Sequence, residues 1–454
     1  MPNKPRGASF AFDLLYLFLA ALLLPYFLFR RLKGKKSAPF RDKMARIRER
    51  KPNVQRLWIH AVSVGEATAA EPLIKALKAK FPKAEVVISI TTLTGHAVAE
   101  RKYGPENVVF YPHDFSWVVR RFLNAIKPSI VILMELEVWP NMTAEAKARG
   151  IPIVVANARI TRRSAKRYKL GWSLVGRAFN RPEKWLAQTV EYAERLHQLG
   201  VDPQRIEIAG NIKYDAVDTS PPSPEQRAAL RAELGIAPEA PVLIGGSTHP
   251  TEESALLDAY KNLRATACPA LRLILVPRHP ERLNSVEDEI KSAGLIAVRK
   301  SALDARPLLP TPYSPLPAPH SLLPPPHSPP VLLIDTMGEL KRMYAAADVA
   351  FIGGSLIPHG GQNIMEPCGM GVAAIHGPHM HNFNDAMEIL RACNGSLEIT
   401  RETLAPTLER LLKNRDEAQA MAARAREGFL KKLGATSRVV ETIGALLQSV
   451  RAKK

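Results

Sequence analysis

Two glycines, two residues with amide side chains and one with a carboxylate lie close together in Gly360-Gly361-Gln362-Asn363-Ile364-Met365-Glu366-Pro367. The residues before them, 349–352, form a short apolar run that predicts a buried strand. Gly353 and Gly354 end that run, and glycine lets the backbone approach a ligand closely. A strand that opens into a glycine loop with polar side chains predicts a ligand site at this point of the chain.

The side chains of this loop suit the phosphate and the ribose of a nucleotide. Gln362 or Asn363 can cap a helix that begins near Ile364. Unpaired backbone amides and the positive end of the helix dipole would then converge, which predicts an anion site. In the first turn of that helix, the Glu366 carboxylate can accept hydrogen bonds from ribose hydroxyls. A plain βα turn is the alternative, but the combination of glycines, amides and acid favours a nucleotide site.

The elements that position such loops alternate between strand and helix from residue 57 onward. A helix is predicted over residues 67–80, which Pro72 either kinks or shifts to a later start. The first buried strands are predicted at residues 57–62, 86–90, 108–111, 130–134 and 153–156. This alternation predicts a parallel sheet covered on both faces, with ligands at the C-terminal strand ends. Residues 63–66, 135–141 and 157–159 lie at such ends.

A change of composition divides the chain into two α/β domains. Residues 219–224, rich in serine and proline, are typical of a linker that leads into a helix over residues 225–234. A strand followed by a loop is predicted at residues 241–249, further strands are predicted at 271–276 and 349–352, and ordered structure is expected to resume at 331–335. The Pro-rich tract at 302–330 is interpreted as a mobile surface insertion with no catalytic role, rather than a proline-motif docking site. The last helices, up to Leu447, look amphipathic and are able to pack back across the first domain.

Composition narrows the class of protein. The 454 residues are enough for two domains, and 46% hydrophobic with 23% charged residues is typical of a globular protein. The formal charge of +20 predicts an anionic partner such as anionic lipid, a phosphorylated substrate or nucleic acid. Nucleic acid is disfavoured because no helix-turn-helix, zinc-knuckle or aromatic RNA-binding signature is present. Cys268, Cys368 and Cys393 are odd in number and far apart, which argues against disulfides and a zinc site.

The N-terminus predicts attachment to a membrane. Residues 14–29 are almost continuously apolar and are followed by a basic cluster at 30–36. The run is shorter than the roughly 20 residues that span a bilayer, and Pro25 lies inside it. A cleaved signal peptide is the alternative, but no clear small-x-small site follows. We predict an uncleaved anchor, short-spanning or interfacial, with the basic cluster on the cytoplasmic side of the inner membrane and in contact with anionic headgroups.

Eight motifs carry a family resemblance. Those of the first domain are His60-Ala61-Val62-Ser63-Val64-Gly65-Glu66, Glu135-Leu136-Glu137-Val138-Trp139-Pro140-Asn141, Asn157-Ala158-Arg159 and Gly210-Asn211-Ile212-Lys213-Tyr214-Asp215. Those of the second are Gly246-Ser247-Thr248-His249, Pro277-Arg278-His279-Pro280-Glu281-Arg282, Asp335-Thr336-Met337-Gly338-Glu339-Leu340 and residues 360–367. In this order, from about residue 57 to about 384, they resemble the Kdo (3-deoxy-D-manno-octulosonic acid) transferases of lipopolysaccharide assembly. The Pro-rich insertion departs from the family pattern.

The resemblance implies an α/β fold of two Rossmann-like domains that face a cleft (GT-B), with an N-terminal membrane-anchor helix. We expect the anchor and its basic flank at 1–36, an acceptor-binding domain at 37–217 and a CMP-Kdo-binding domain at 218–454. It implies CMP-Kdo as donor, the phosphorylated disaccharide precursor of lipid A as acceptor, and inversion at the anomeric carbon. It implies no cofactor.

The resemblance also implies three catalytic residues. Glu66 resembles the general base of the family, and a carboxylate is able to take the proton of an attacking sugar hydroxyl. A place at the start of a helix should keep Glu66 ionised, whereas a helix-capping acid is the structural alternative. Glu135 and Lys213 resemble positions that assist the transition state, Lys213 by offsetting charge on the phosphate or the Kdo carboxylate. The alternatives are a solvated lysine and an ion pair of Glu135 with Arg159 or another neighbour.

In the second domain the resemblance implies a binding site for CMP. Its residues are Arg278, His279, Met337, Gly338, Glu339, Asn363, Ile364, Met365 and Glu366. Arg278 suits phosphate, Met337 suits the face of cytosine, and Ser247 and Thr248 are further phosphate donors. Core packing is the alternative for each methionine. A metal site is not expected, because the histidines at 249, 279 and 359 lie on separate loops. The alternatives for the whole chain are a GT-B transferase using a UDP-sugar and a non-enzymatic, membrane-anchored binder of anionic ligands.

Overall fold

A computed structural model describes residues 6–32, 40–45, 47, 49–217, 219–304 and 329–452. The chain divides into two compact units. Unit 1 comprises Met1–Ala216 together with Lys432–Lys454, and unit 2 comprises Val217–Lys431. Residues 305–328, which make up most of the Pro-rich tract, and residues 33–39 of the basic flank lie outside the described residues.

Unit 1 is built on a seven-stranded sheet with helices between the strands. Its strands are β1 (Arg56–Ala61), β2 (Glu85–Ile90), β3 (Val108–Phe110), β4 (Ile130–Met134), β5 (Ile153–Ala158), β6 (Lys184–Ala187) and β7 (Ile206–Ile208). Its helices are α1 (Arg6–Leu32), α2 (Phe40–Lys43), α3 (Val64–Ala69), α4 (Glu71–Lys80), α5 (Leu93–Tyr103), α6 (Ser116–Ile126), α7 (Pro140–Ala148), α8 (Arg162–Leu170), α9 (Trp172–Phe179) and α10 (Val190–Gln198).

The strands of unit 1 lie in the order β3-β2-β1-β4-β5-β6-β7, and each described pair is parallel. Every residue of β1, β4 and β5 is buried, because helices cover both faces of the sheet. The prediction of a parallel sheet is therefore confirmed. The helix expected over residues 67–80 is divided at Ala70, and Pro72 lies in the first turn of α4, where its missing amide hydrogen costs least.

Unit 2 repeats this architecture. Its strands are β8 (Val242–Thr248), β9 (Arg272–Pro277), β10 (Ala297–Arg299), β11 (Val331–Leu333), β12 (Val349–Ile352), β13 (Ala373–His376) and β14 (Ser396–Glu398). Its helices are α11 (Pro224–Glu233), α12 (Glu252–Thr266), α13 (Leu283–Ser292), α14 (Lys300–Asp304), α15 (Leu340–Tyr344), α16 (Met365–Gly369), α17 (Asn384–Cys393), α18 (Arg401–Lys413) and α19 (Arg415–Leu430). The sheet order is β10-β11-β9-β8-β12-β13-β14, again parallel.

The last helix, α20 (Ala435–Ala452), belongs to unit 1, so the C-terminal unit ends at Lys431 rather than at residue 454 as expected. Its buried residues Val439, Ile443 and Leu447 share a hydrophobic cluster with Leu73 and Leu77 of α4. Burying these side chains in the cluster stabilises the packing of α20 on unit 1. The interpretation that the last helices pack back across the first domain holds for α20.

Helix α1 carries Pro25 and joins unit 1 through polar contacts. Asp13 accepts hydrogen bonds from the Ser116 amide (2.7 Å) and from Asn141 Nδ2 (3.0 Å). Tyr16 donates to the buried carboxylate of Asp114 at 3.1 Å. Helix α1 also has exposed large apolar side chains, namely Phe10, Leu14, Leu17, Phe18, Leu19, Leu22, Leu23 and Phe29. Among helices of the described residues, none combines the length and the apolar character needed to cross a bilayer.

Candidate active site

Glu66 lies in the first turn of α3, directly after the C-terminal end of β1. Its Oε2 accepts a hydrogen bond from the Val62 amide at 2.9 Å, and its Oε1 is 3.4 Å from the Ser63 hydroxyl. Burial raises the pKa of the Glu66 carboxyl, and the charge of Glu135 adds to this; the Val62 amide, Ser63 and Lys213 act in the opposite direction. The expectation that the helix start keeps Glu66 ionised stays a prediction, because burial raises this pKa while three neighbouring groups lower it. A raised pKa makes the ionised carboxylate a stronger base.

Two further carboxylates follow β4. Glu135 has a left-handed backbone with φ of 57°, an unfavourable conformation for a side chain of this kind and one that clusters at functional sites. Glu137 is half-buried, and its Oε2 accepts from the indole nitrogen of Trp139 at 3.1 Å. Burial raises the pKa of Glu137 to about 7, with the charges of Glu66 and Glu135 contributing and the Trp139 hydrogen bond opposing. Glu66, Glu135 and Glu137 form what we call the carboxylate cluster.

Lys213 reaches the same neighbourhood from the loop after β7, since its charge acts on the pKa of Glu66. The loop is held by Asn157, a fully buried residue with φ of 55° whose Oδ1 accepts from the Ile212 amide at 3.1 Å. The Asn211 side chain accepts from the Lys213 amide at 3.0 Å. Among the described residues, no carboxylate forms an ion pair with Lys213. Its cation therefore offsets the charge of the carboxylate cluster and is available to an anion.

The loops of unit 2 that follow β8, β9 and β12 bring three histidines together. The ring of His249 lies 5.6 Å from that of His279 and 4.3 Å from that of His359, between ring centroids. We call these three the histidine cluster. No set of three or more His, Cys, Asp or Glu side chains within the described ranges has a metal-holding arrangement.

His249 is the buried member of the histidine cluster, at 4% exposure. Gln362 Nε2 is 3.2 Å from His249 Nε2, so the amide donates to an unprotonated ring nitrogen. Burial, together with the charges of His359, His279, Arg282 and Arg278, lowers the pKa of His249 to about 4. Arg282 is held by buried Glu253 at 2.9 Å, whereas the exposed Arg278 forms no ion pair with any described residue. Arg278 is thus accessible to an anion at the C-terminal end of the second sheet, while the exposed ring of His279 lies 3.4 Å from the Glu281 carboxylate.

The glycine loop differs from its prediction in one respect. The Glu252 carboxylate accepts hydrogen bonds from the amides of Gly354, Ser355 and Leu356, which follow β12, at 2.7–3.0 Å. They are therefore unavailable to an anion, and helix α16 is only five residues long, so its dipole is small. The anion site predicted at the start of the following helix therefore cannot include these three amides, and at that helix start it stays a prediction.

The remaining predicted CMP residues lie on two loops at the C-terminal edge of the second sheet. Glu366 is in the first turn of α16, accepts from Asn363 Nδ2 at 2.9 Å, and has a pKa raised by burial. Asn363 Oδ1 accepts from the Met365 amide at 3.1 Å, but the N-cap residue of α16 is Ile364, which is fully buried, rather than Gln362 or Asn363. Met337 is 85% exposed, so the core-packing alternative for it is wrong. Gly338 has φ of 84°, and Glu339 accepts from the Thr336 hydroxyl at 2.5 Å.

Three residues that the structure brings into these groups, Glu137, Gln362 and His249, were not among the predicted site residues. Glu137 was available as the second acid of its motif, two residues after Glu135. Gln362 was considered only as a helix cap, and His249 only as an unlikely metal ligand. Glu66, whose charge acts on Glu137, lies 71 residues away in the chain, and Gln362 lies 113 residues from His249, so no local pattern reveals either interaction.

The sequence is similar to known proteins over most of its length. Residues 38–216 match the family model described as 3-deoxy-D-manno-octulosonic-acid transferase (kdotransferase). A 3-deoxy-D-manno-octulosonic acid transferase of Bordetella pertussis is 34% identical over 89% of this chain and 91% of its own length. One from Haemophilus influenzae is 32% identical over 87% of this chain and 88% of its own length.

The fold is shared more widely. A glycosyltransferase from Rickettsia africae superposes with a TM-score of 0.51, at 13% identity, over 88% of this chain and all of that one. The two parallel seven-stranded α/β units thus form a GT-B-like fold.

Proposed function

The chain belongs to the 3-deoxy-D-manno-octulosonic acid (Kdo) transferase family, and from this premise we propose CMP-Kdo as its donor and the lipid A precursor lipid IVA as its acceptor. Family membership makes it a glycosyltransferase that transfers Kdo in lipopolysaccharide biosynthesis. The observation that supports the proposed chemistry is the carboxylate cluster, in which Glu66 has a raised pKa and a neighbouring lysine cation.

The proposed step is a single inverting displacement at the anomeric carbon. A hydroxyl oxygen of the acceptor forms a bond to that carbon while the bond to the phosphate oxygen of CMP breaks. Glu66 accepts the hydroxyl proton, and the electron pair of the broken bond leaves on the CMP phosphate. Lys213 offsets negative charge on the phosphate or on the Kdo carboxylate, which lowers the energy of the charge-separated transition state. Glu135 is proposed to assist through its charge, which raises the pKa of Glu66.

Unit 2 is proposed to hold the donor. Arg278, accessible and without an acidic partner among the described residues, suits the phosphate, and His279 lies beside it. Exposed Met337 suits the face of the cytosine, with Gly338 and Glu339 in the same loop. Glu366, oriented by Asn363, suits the ribose hydroxyls.

We also propose that α1 attaches the protein to the cytoplasmic face of the inner membrane. Its exposed apolar side chains, together with the basic residues that follow in the sequence, suit an anionic bilayer surface. Sedimentation with vesicles of phosphatidylethanolamine and phosphatidylglycerol tests this. Replacing Leu14, Leu17 and Phe18 by serine should abolish co-sedimentation, whereas Leu170→Ser, which removes a 90% exposed side chain of α8, should not. Equal binding by both variants would contradict the proposal.

The substrates are tested by incubating purified protein with CMP-Kdo and lipid IVA and weighing the products by mass spectrometry. The proposal predicts lipid products heavier by one or more Kdo residues. Turnover with UDP-sugars in place of CMP-Kdo would identify a different GT-B transferase. No turnover with either donor, combined with tight and salt-sensitive binding of anionic ligands, would favour the non-enzymatic alternative.

A further inference from the structure

The carboxylate of Glu252, at the first position of α12, accepts four backbone hydrogen bonds and is completely buried. Its Oε2 accepts from the amides of His249 (3.0 Å) and Gly354 (2.7 Å). Its Oε1 accepts from the amides of Ser355 and Leu356, both at 3.0 Å. One side chain therefore joins the loop after β8 to the loop after β12.

Only a carboxylate satisfies this arrangement. Four donors converge on two oxygens, and hydrogen bonds to an ionised acceptor are about twice as strong as neutral ones. Burial raises the pKa of Glu252, while the four amides act in the opposite direction. A glutamine at this place would present an NH2 group to two backbone N–H groups, leaving buried donors without acceptors.

The two joined loops contain the groups proposed to meet the donor. The loop after β12 turns back on itself, with the Gly361 amide donating to the Gly354 carbonyl at 2.8 Å. This closure places Gln362 beside His249, at 3.2 Å. Asn363 and Glu366 follow directly, so the position of Gly354 determines where these side chains lie. A Cβ at Gly353 would be 2.0 Å from the Ser247 carbonyl, so the two loops also pack closely at their roots.

We propose that Glu252 is a positioning residue for the donor: it fixes the β12 loop so that Gln362, Asn363 and Glu366 are preorganised for the nucleotide. Glu252 itself does not touch the substrate. This inference rests on the proposed function of unit 2 as the donor-binding unit. Preorganisation of this kind lowers the entropic cost of binding, so its loss appears in donor affinity first.

A matched control lies at the opposite end of the same strand. Asp348, directly before β12, accepts from the Val242 amide at 2.8 Å and pairs with Arg231 at 2.9 Å. Asp348→Asn therefore weakens unit 2 without touching the β12 loop. If Glu252 only stabilised unit 2, replacing it and replacing Asp348 should have the same effects on the exchange of the β12 loop and on donor binding.

The first test is hydrogen exchange of the full-length protein without substrate. Glu252→Gln should raise exchange at Gly354, Ser355 and Leu356 by about tenfold or more, whereas Asp348→Asn should leave these three amides protected. If Glu252→Gln does not fold, Glu252→Asp, whose shorter carboxylate cannot reach all four amides, takes its place with a smaller increase expected. Unchanged exchange in the loop would overturn the inference.

The second test separates donor binding from turnover. Glu252→Gln should raise the KM for CMP-Kdo about tenfold or more, with the KM for the acceptor within about twofold of wild type. Asp348→Asn should change neither KM by more than about twofold. A uniform loss of kcat with an unchanged donor KM would overturn the inference. If wild-type protein uses no CMP-Kdo, the proposed function fails and so does the donor role, while the exchange test still decides whether Glu252 fixes the loop.

Discussion

Replacing Glu137 by glutamine is expected to stabilise unit 1 at alkaline pH and to leave its stability unchanged in acid. The carboxyl has a pKa near 7 in the folded protein against an ordinary 4.5, so folding favours its protonated form. Below pH 4.5 the carboxyl is neutral in both the folded and the unfolded chain, and glutamine changes little. As the pH rises from 4.5 to 7 the folded protein increasingly resists an ionisation that the unfolded chain undergoes freely, and stability falls. Glutamine removes this loss.

The magnitude follows from the same shift. At about 1.4 kcal/mol for each pKa unit, the cost of ionising Glu137 at pH 8 is at most about 3.5 kcal/mol. Partial exposure and screening by solvent reduce it to about 1–2 kcal/mol. For a unit of this size, that corresponds to a melting temperature about 2–6 °C higher for Glu137→Gln at pH 8.

The assay is differential scanning fluorimetry of both proteins from pH 4.5 to pH 8.5 at constant ionic strength. The difference between variant and wild type should increase through the range from 4.5 to 7 and then level off. Glu194→Gln, which removes an exposed carboxylate of α10 in the same unit, is the control for the loss of one negative charge. If the difference in melting temperature between Glu137→Gln and wild type does not change with pH, or increases as the pH falls, burial and like charge do not raise this pKa.

Three further predictions concern the two sites and the last helix. Lys213→Met removes a cation that lowers the pKa of Glu66, so this pKa should rise and the acidic limb of the pH–rate profile should move to higher pH. If the limb stays in place in steady-state assays, Lys213 does not act on Glu66. Met337→Ala should leave the melting temperature unchanged, because the side chain is 85% exposed, but weaken CMP binding about threefold to tenfold in calorimetry. Asp215 accepts from the amides of Gly434 (2.7 Å) and Thr436 (2.5 Å), so Asp215→Ala should destabilise unit 1 by about 1–2 kcal/mol in urea unfolding, and an unchanged midpoint would contradict this.

The parallel sheets were predictable because strands buried on both faces are continuous apolar runs. The strand expected at residues 130–134 is β4, Ile130–Met134, and that expected at 349–352 is β12, Val349–Ile352. The polar motifs fall at C-terminal strand ends, as expected for ligand-binding loops. Local patterns in the sequence were therefore enough to predict the strands and the polar loops that follow them.

Contacts between distant parts of the chain were not predictable. Glu252 meets Gly354 across 102 residues, and no periodicity indicates that a buried acid occupies the amides of a glycine loop. The amphipathic pattern of the last helices indicated that they are able to pack on the first domain, but it does not specify that α20 does so against Leu73 and Leu77 while α19 stays in unit 2. The groups that act on the pKa of Glu66 beyond its own turn, Glu135 and Lys213, are likewise distant in the chain.

The central claim, that Glu66 takes the acceptor proton, is tested most directly by the steady-state kinetics of Glu66→Gln with CMP-Kdo and lipid IVA. The variant keeps the size of the side chain and removes its basicity. We predict a fall in kcat of about 100-fold to 10,000-fold with the KM for CMP-Kdo and the melting temperature close to wild type. Glu71→Gln, in the first turn of the next helix, should retain full activity. A kcat for Glu66→Gln within a few-fold of wild type would contradict the claim.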